Sequence, residues 1–407
     1  MSRARIYIGI DWATEKHALC VTDAEGKIIK ERNIANDSSL FEVILGLVMG
    51  AAASEVYVAV ETRRLVLVEA LVARGFKVFT INPKQSERFR DRFSVAGSKD
   101  DRFDARVLAS ALRTDLDLFN SVDAETSQHL RLRGATRARE TLQGDLRKTA
   151  NRLREVVMTS MPLLLALCPG ADEPWFWELV RSAANPAAAR SFSNEKVREL
   201  LRKHRIRRLD VEDLRKVLDG GHLEAAEGVC ESASWQGCLL IQQLKLFTLQ
   251  ERKIEAELKA ALFDLPKPDG GPSDVEIVMS APGFACLTTA VLLVEASSAV
   301  VKRDLQMLRA VGGAAPVTMS SGKKKKGKGV IVMRRSVNVR LRNALHAAGA
   351  AASRDPRFKP IYARLRSERA SHGRAVRGVV DRLLKVVIAM LRDGKLYEPA
   401  KPQAQPT

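Results

Sequence analysis

Apolar and polar positions along the chain predict a sheet domain first and long helices afterwards. Ile6-Tyr7-Ile8-Gly9-Ile10-Asp11 is an unbroken apolar run that stops on an acid, the mark of a strand buried on both faces. Two more strands are predicted over 18–22 and 27–34, with Gly26 in the turn before the second. A helix over 38–49 leads to Val56-Tyr57-Val58-Ala59-Val60-Glu61, a second buried run that again ends on an acid. A helix over 65–73, stopped by Gly75, and a strand over 77–81 closing at Asn82-Pro83 complete this stretch. A last helix carries Asp101 and Asp104 ahead of Val107, Leu108, Ala111 and Leu112. Three strands, then helix, strand, helix, strand, helix, predict a mixed sheet flanked by helices.

Beyond residue 123 the period changes to that of helices. The stretches 130–167 and 241–262 place apolar residues at helical spacing, the second at Leu244, Leu246, Leu249, Ile254, Leu258 and Leu262. They predict an antiparallel coiled-coil arm around an insertion that holds Trp175, Trp177 and helices over 196–203 and 211–218. Lys267 to Ser273, with its prolines and glycines, reads as a linker. Four regions result: 1–122, a sheet domain; 123–266, the arm; 274–399, a mostly helical domain; and 400–407, a disordered tail. The fold class is α/β followed by mostly α.

Charge adds a partner to this picture. The 407 residues carry a net charge of +19. From Val301 to Glu398, 24 lysines and arginines face 6 acids, so nearly all of the excess lies at the back. A neutral front and a basic back point to a polyanion, most simply DNA or RNA. The basic helices are rich in Ala and Arg instead of broad Trp/Phe/Leu faces, which argues against a membrane surface. Five cysteines with no metal-ligand spacing, and no signal peptide or spanning apolar run, lead to the expectation of a reduced, cytoplasmic protein.

The acids supply the candidate chemistry. Asp101 and Asp104 are three apart, so a helix sets both on one face. Such a pair alone also suits a solvated helix start, and Asp100 with Asp104, four apart, is an alternative pair. Asp11 and Glu61 each end a buried strand, where function gathers in open α/β sheets. Carboxylates brought together favour hard divalent cations such as Mg²⁺. At the back, Gly312-Gly313-Ala314-Ala315-Pro316-Val317-Thr318-Met319-Ser320-Ser321-Gly322 runs into Lys323, Lys324, Lys325, Lys326 and Lys328. A hydroxyl beside a glycine, among cations, suits attack on a phosphodiester, although a disordered phosphate-gripping loop fits the same residues. Ser280-Ala281-Pro282-Gly283-Phe284 before a helix suggests either a helix-hairpin-helix turn or an ordinary one.

The order of the front elements resembles the ribonuclease-H-like fold. Ile8-Gly9-Ile10-Asp11, Val60-Glu61-Thr62, Ile81-Asn82-Pro83 and Lys99-x-Asp101-x-x-Asp104-Ala105 resemble the DEDD transposases of insertion-sequence family 110, whose N-terminal domain is RuvC-like. The resemblance implies Asp11, Glu61, Asp101 and Asp104 as a Mg²⁺-binding acidic tetrad. Two positions depart from the family pattern: Asp100, where Thr is usual, and Arg63-Arg64, where a Gly-containing segment is usual. Downstream, the Gly-x-x-Pro…Ser-Gly pattern with Arg340, Arg342, Ala344-Leu345, Tyr362, Gly373, Ala375 and Leu383-Leu384 resembles the C-terminal transposase domain of the same family. That resemblance implies Ser321 as the nucleophile, with Ser320 adjacent to it, and makes Arg334, Arg335, Arg340 and Arg342 candidates for phosphate grip. It further implies a site-specific recombinase of an insertion element that works as a dimer or tetramer. The acids of one protomer would meet the serine of another, a guide RNA would choose DNA sites, and the protein would act at the bacterial nucleoid. A metal-dependent junction nuclease and a non-catalytic nucleic-acid-binding protein are the alternatives.

Overall fold

The computed structural model describes residues 5–48, 50–61, 66–93, 100–122, 125–223, 226–319, 330–334 and 336–399. The chain divides into two units, Met1–Thr126 and Ser127–Thr407. The first contains β1 (Ile6–Asp11), β2 (Lys16–Thr22), β3 (Ile28–Ala35), α1 (Ser39–Leu47), β4 (Val56–Val60), α2 (Val66–Ala73), β5 (Lys77–Thr80), α3 (Pro83–Asp91), α4 (Asp101–Thr114) and β6 (Asn120–Ser121). The sheet order is β3-β2-β1-β4-β5-β6. β1, β4 and β5 run parallel, and the outer pairings are antiparallel. This is the mixed sheet that the strand pattern predicts, and it is consistent with a ribonuclease-H-like domain. Two elements go beyond the expectation: the edge strand β6 and helix α3.

Period-two alternation assigns the faces of the sheet. Ile6, Ile8 and Ile10 of β1 and Val56, Val58 and Val60 of β4 pack with Leu40, Ile44, Leu67, Val68 and Leu71 of α1 and α2. The alternate residues, Tyr7 and Tyr57 among them, meet Leu108, Ala111 and Leu112 of α4. Tyr7 and Tyr57 meet tilted at 5.4 Å and Tyr57 and Phe79 stack at 6.0 Å, which extends this aromatic row across three parallel strands. Gly9 lies on the same face, against the backbone of α4. A Cβ there would sit 1.9 Å from the Ala105 carbonyl oxygen and 2.6 Å from the Ala109 nitrogen. Opposite Gly9, Ala18, Cys20, Ala105 and Ala109 form a seam of small side chains. The helix therefore seats directly on β1.

The second unit begins with α5 (Ser127–Ser160), followed by α6 (Pro174–Ser182), α7 (Pro186–Ser191), α8 (Asn194–Lys203), α9 (Val211–Leu218) and α10 (Glu227–Phe263). α5 and α10 pair antiparallel: Arg131 meets Glu257, Arg139 meets Glu255, and Gln143 meets Glu251. α10 starts 14 residues before the predicted 241, because Glu, Ser, Gln and Gly interrupt the apolar period there while still forming helix. The insertion is a mini-core around Trp175, Phe176 and Trp177.

The rest comprises α11 (Asp274–Ser280), α12 (Cys286–Glu295), α13 (Ser297–Val301), α14 (Leu305–Val311), β7 (Pro316–Met319), β8 (Val330–Met333), α15 (Val339–Ala352), α16 (Lys359–Ser367) and α17 (His372–Asp393). α17 is the central staff. Val376, Val379, Val380, Leu383, Leu384, Val387, Ile388 and Leu391 are buried on it at helical spacing, and left-handed Gly394 caps its end. The glycine-rich stretch expected as a loop has ordered legs: β7 and β8 pair antiparallel, with Pro316 opposite Met333. Gly283, a candidate phosphate contact, has φ +83°, and its Cβ position lies 2.0 Å from the Ala348 carbonyl oxygen. Close packing onto α15 accounts for that glycine.

Gly9→Ala should cost at least about 3 kcal/mol, because helix and strand backbones must part to admit one methyl group. Urea denaturation of the variant checks this, and a wild-type midpoint would contradict the close seating.

Candidate active site

Asp11 is the last residue of β1 and continues the row of Tyr7 and Gly9, the face that α4 covers. Glu61 follows β4, which pairs in parallel with β1 through Ile10 opposite Val60. The two acids are therefore neighbours one step further on, on strands about 4.8 Å apart. α4 supplies the other two. Asp100 caps it, its side chain accepting from the Arg102 N–H at 3.2 Å. Asp101 and Asp104 lie in the first turn, Asp101 exposed and Asp104 8% exposed. With Asp100 engaged as the cap, its departure from the family's Thr is physically mild, since both residue types serve that position. Because Ala105 rests on Gly9, Asp104 is carried beside Asp11.

Electrostatics registers this proximity. The Asp11 carboxyl is pushed up to about 6, first by burial and then by the charges of Asp104, Glu61 and Asp101, with Arg90 pulling the other way. Arg90, on α3, donates to Asp104 Oδ1 at 2.7 Å. The sequence reading missed this cation. Its signal is the start of α3, where Asn82 caps, Pro83 holds the first position and Gln85 closes a capping box. That start places Arg90 two turns along.

The donors are all carboxylate oxygens, the set that hard divalent cations take. No three of these acids bring ligand oxygens within 4.8 Å of one another. Among the described residues that closeness is reached by Cys168, Asp172 and Glu173 instead. One of the four, Asp104, is held by Arg90. The other trio does not suit a metal. Glu173 is taken by Arg208 and by the Trp175 indole N–H, and burial pushes the Cys168 thiol up, keeping it protonated.

In the second unit, Ser320, Ser321, Lys323, Lys324, Lys325, Lys326, Lys328 and Arg335 lie outside the described residues. Of the candidate arginines, Arg340 is paired with Glu140. Arg334 and Arg342 are exposed. The return leg of the hairpin is anchored: the Asn338 N–H donates to the Val311 carbonyl, and its side chain donates to Glu295 at 2.7 Å. Burial works against the charged form of Glu295, but Asn338 and Arg137 hold its carboxyl below the usual range.

Comparison with known proteins adds to this geometry. Residues 8–162 match the family model of IS110-type DEDD transposases, and residues 275–363 match that of the IS116/IS110/IS902 transposase family. Together they cover more than half of the chain. The chain is 39% identical over 208 residues to the y4uE protein of Sinorhizobium fredii, covering 50% of this chain and 58% of that one. It is 28% identical over 392 residues to the mini-circle protein of IS117 from Streptomyces coelicolor, 93% and 92% of the two chains. It is 26% identical over 420 residues to the 44.8 kDa protein of IS116 from Streptomyces clavuligerus, 98% of each. The first two are named as transposases.

Asp11 holds its proton more readily in the fold, at about 6, than at its ordinary 3.8. Its contribution to stability is thus fully present below about pH 3.8 and is lost as pH rises to about 6. In cation-free buffer near pH 7.5, Asp11→Asn should stabilise the protein by about 1 kcal/mol, after discounting for solvent around a half-buried carboxyl. The gain should shrink below about pH 4. Urea titrations in EDTA at both pH values measure it, and a variant no more stable than wild type near pH 7.5 would contradict the crowding of charge.

Proposed function

Because the chain belongs to the IS110 family of DEDD transposases, we propose that it moves an insertion element by cutting and rejoining DNA through a phosphoserine link. One observation carries this reading: β1, the residue after β4, and the first turn of α4 bring four acids near one another, and burial together with the charges of Asp104, Glu61 and Asp101 raises Asp11 to about 6. Asp11, Glu61, Asp101 and Asp104 would hold Mg²⁺, which when bound polarises phosphate oxygens and favours in-line displacement. Ser321 is the nucleophile in this proposal. Its Oγ forms a bond to phosphorus as the bond to one bridging oxygen breaks, its proton goes to solvent or a nearby base, and the leaving oxygen is protonated. A hydroxyl of a second strand then reverses the step, so the phosphodiester is conserved without an outside energy source.

Lys323, Lys324, Lys325, Lys326, Lys328, Arg334, Arg335 and Arg342 would grip phosphate without reading bases. Choice of site then falls to another molecule, and a guide RNA that pairs with DNA supplies it. Strand exchange needs several active sites, and α10 offers a surface for pairing copies. Trp235, Leu239, Leu246 and Leu249 recur at heptad-like spacing along it and are 66%, 43%, 51% and 49% exposed, which supports a coiled-coil contact between protomers. No described helix is long and apolar enough to cross a membrane.

Replacing two of these residues, Leu246→Glu with Leu249→Glu, should lower the oligomeric state in sedimentation, and unchanged assembly would exclude this face. The chemistry is tested by mixing protein with element-flanking DNA, RNA transcribed from the element, and Mg²⁺. Wild type should yield a strand covalently linked to protein, while Ser321→Ala and Asp11→Ala should yield none. Cutting by Ser321→Ala without an adduct would leave a nuclease that uses the acids alone. Wild-type behaviour of Asp11→Ala would remove the acids from the chemistry.

A further inference from the structure

At the root of the β7–β8 hairpin lies a cleft of about 380 Å³, lined by Gly312, Gly313, Arg342, Asn343, His346 and Arg377 among others. Packing of small residues opens it. Gly349 of α15 meets α17 so closely that a Cβ would lie 2.4 Å from Val380. Arg342 and His346 sit two turns and one turn before Gly349 on the same stripe of α15, and Arg377 sits one turn before Val380. Gly312 closes another wall, with its Cβ position 2.6 Å from Leu345.

The charges in the cleft are uncompensated. No carboxylate lines it, and among the described residues neither Arg342 nor Arg377 is ion-paired. The acid one turn beyond Arg377, Asp381, is already taken by Arg309 at 2.5 Å and Lys385 at 3.1 Å. Arg303 and Arg340 of this unit, by contrast, pair with Asp274 and Glu140. The His346 ring stands edge-on to His372 at 6.2 Å, and His372 Nδ1 is 2.8 Å from the Tyr362 hydroxyl. Two guanidinium groups and an imidazole around one cavity match the oxygens of a phosphate.

We propose that this cleft holds a backbone phosphate of the nucleic acid strand on which the hairpin acts, with Arg342, Arg377 and His346 as its donors. The proposal rests on the transposase reading above. Geometry sets which phosphate is meant. The cleft stands before β7 (Pro316–Met319), whose extended leg runs on for about 10 Å, so the phosphate meant is one apart from the phosphate under attack. The cleft is therefore a positioning site that fixes the register of the strand, and Arg377 and His346 are positioning residues.

The test uses full-length protein carrying Ser321→Ala, in EDTA, so that binding is read without cleavage. Fluorescence anisotropy against salt is recorded with three probes: duplex DNA, single-stranded DNA, and RNA transcribed from the element. Arg377→Ala should weaken binding about tenfold. It should also make the slope of log K against log salt shallower by about 0.9 on duplex or 0.7 on a single strand. His346→Ala should weaken the same probe, and the affected probe identifies the strand. Arg382→Ala, which removes an exposed charge from the same helix outside the cleft, should leave the slope closer to wild type. If Arg377→Ala melts early, Arg377→Gln carries the test. Unchanged slopes on all three probes, or an equal loss from Arg382→Ala, overturn the cleft. A wild-type covalent adduct alongside an unchanged Arg377→Ala slope would reject the cleft and spare the function; a slope change with no adduct would do the reverse.

Discussion

The first unit depends on the contact between the backbone of α4 and the backbone of β1 at Gly9. With Ala105 and Ala109 on the other side and no side chain between, helix and strand meet backbone to backbone. That approach fixes the first turn of α4 over the carboxyl ends of β1 and β4. Asp104, one residue before the contact, is thereby brought near Asp11. The crowding is unfavourable for the apoprotein. Burial and three neighbouring acids raise Asp11, and Arg90 supplies the counter-charge that the chain itself offers. Removing Arg90 would leave the cluster with less compensation; adding a divalent cation would replace it with more.

Much of this was legible in the sequence because the first unit follows local rules. Buried strands read as apolar runs, and each acid falls at an element boundary, where the run itself marks its position. What escaped has physical reasons. Helix α3 carries few apolar residues and is specified mainly by its capping box, so a periodicity reading passes over it and over Arg90. The first part of α10 is helical with one face exposed and polar residues breaking the apolar period. Gly283 looked available to a ligand because a sequence does not reveal that the backbone of α15 lies against it.

The basic surplus of the second unit needed a structure to be sorted. Counting charges cannot separate Arg340, spent on Glu140, from Arg342 and Arg377, which face a cleft without an acid. The same holds for the pairing of β7 with β8 and for Asn338, which is bonded to Val311 and Glu295. The positively charged cleft lies at the root of that hairpin.

Close seating of α4 brings Asp104 near Asp11 and Glu61 while Asp100 caps the helix, and the proposed function requires Asp11, Glu61, Asp101 and Asp104 to draw together around a divalent cation. Mn²⁺ binding, read by electron paramagnetic resonance on the intact protein, tests it most directly. The account predicts binding by wild type and by Asp100→Asn, and its loss in Asp11→Asn, Glu61→Gln and Asp104→Asn. Wild-type Mn²⁺ affinity in Asp11→Asn, or a wild-type protein that takes up no Mn²⁺, would contradict it.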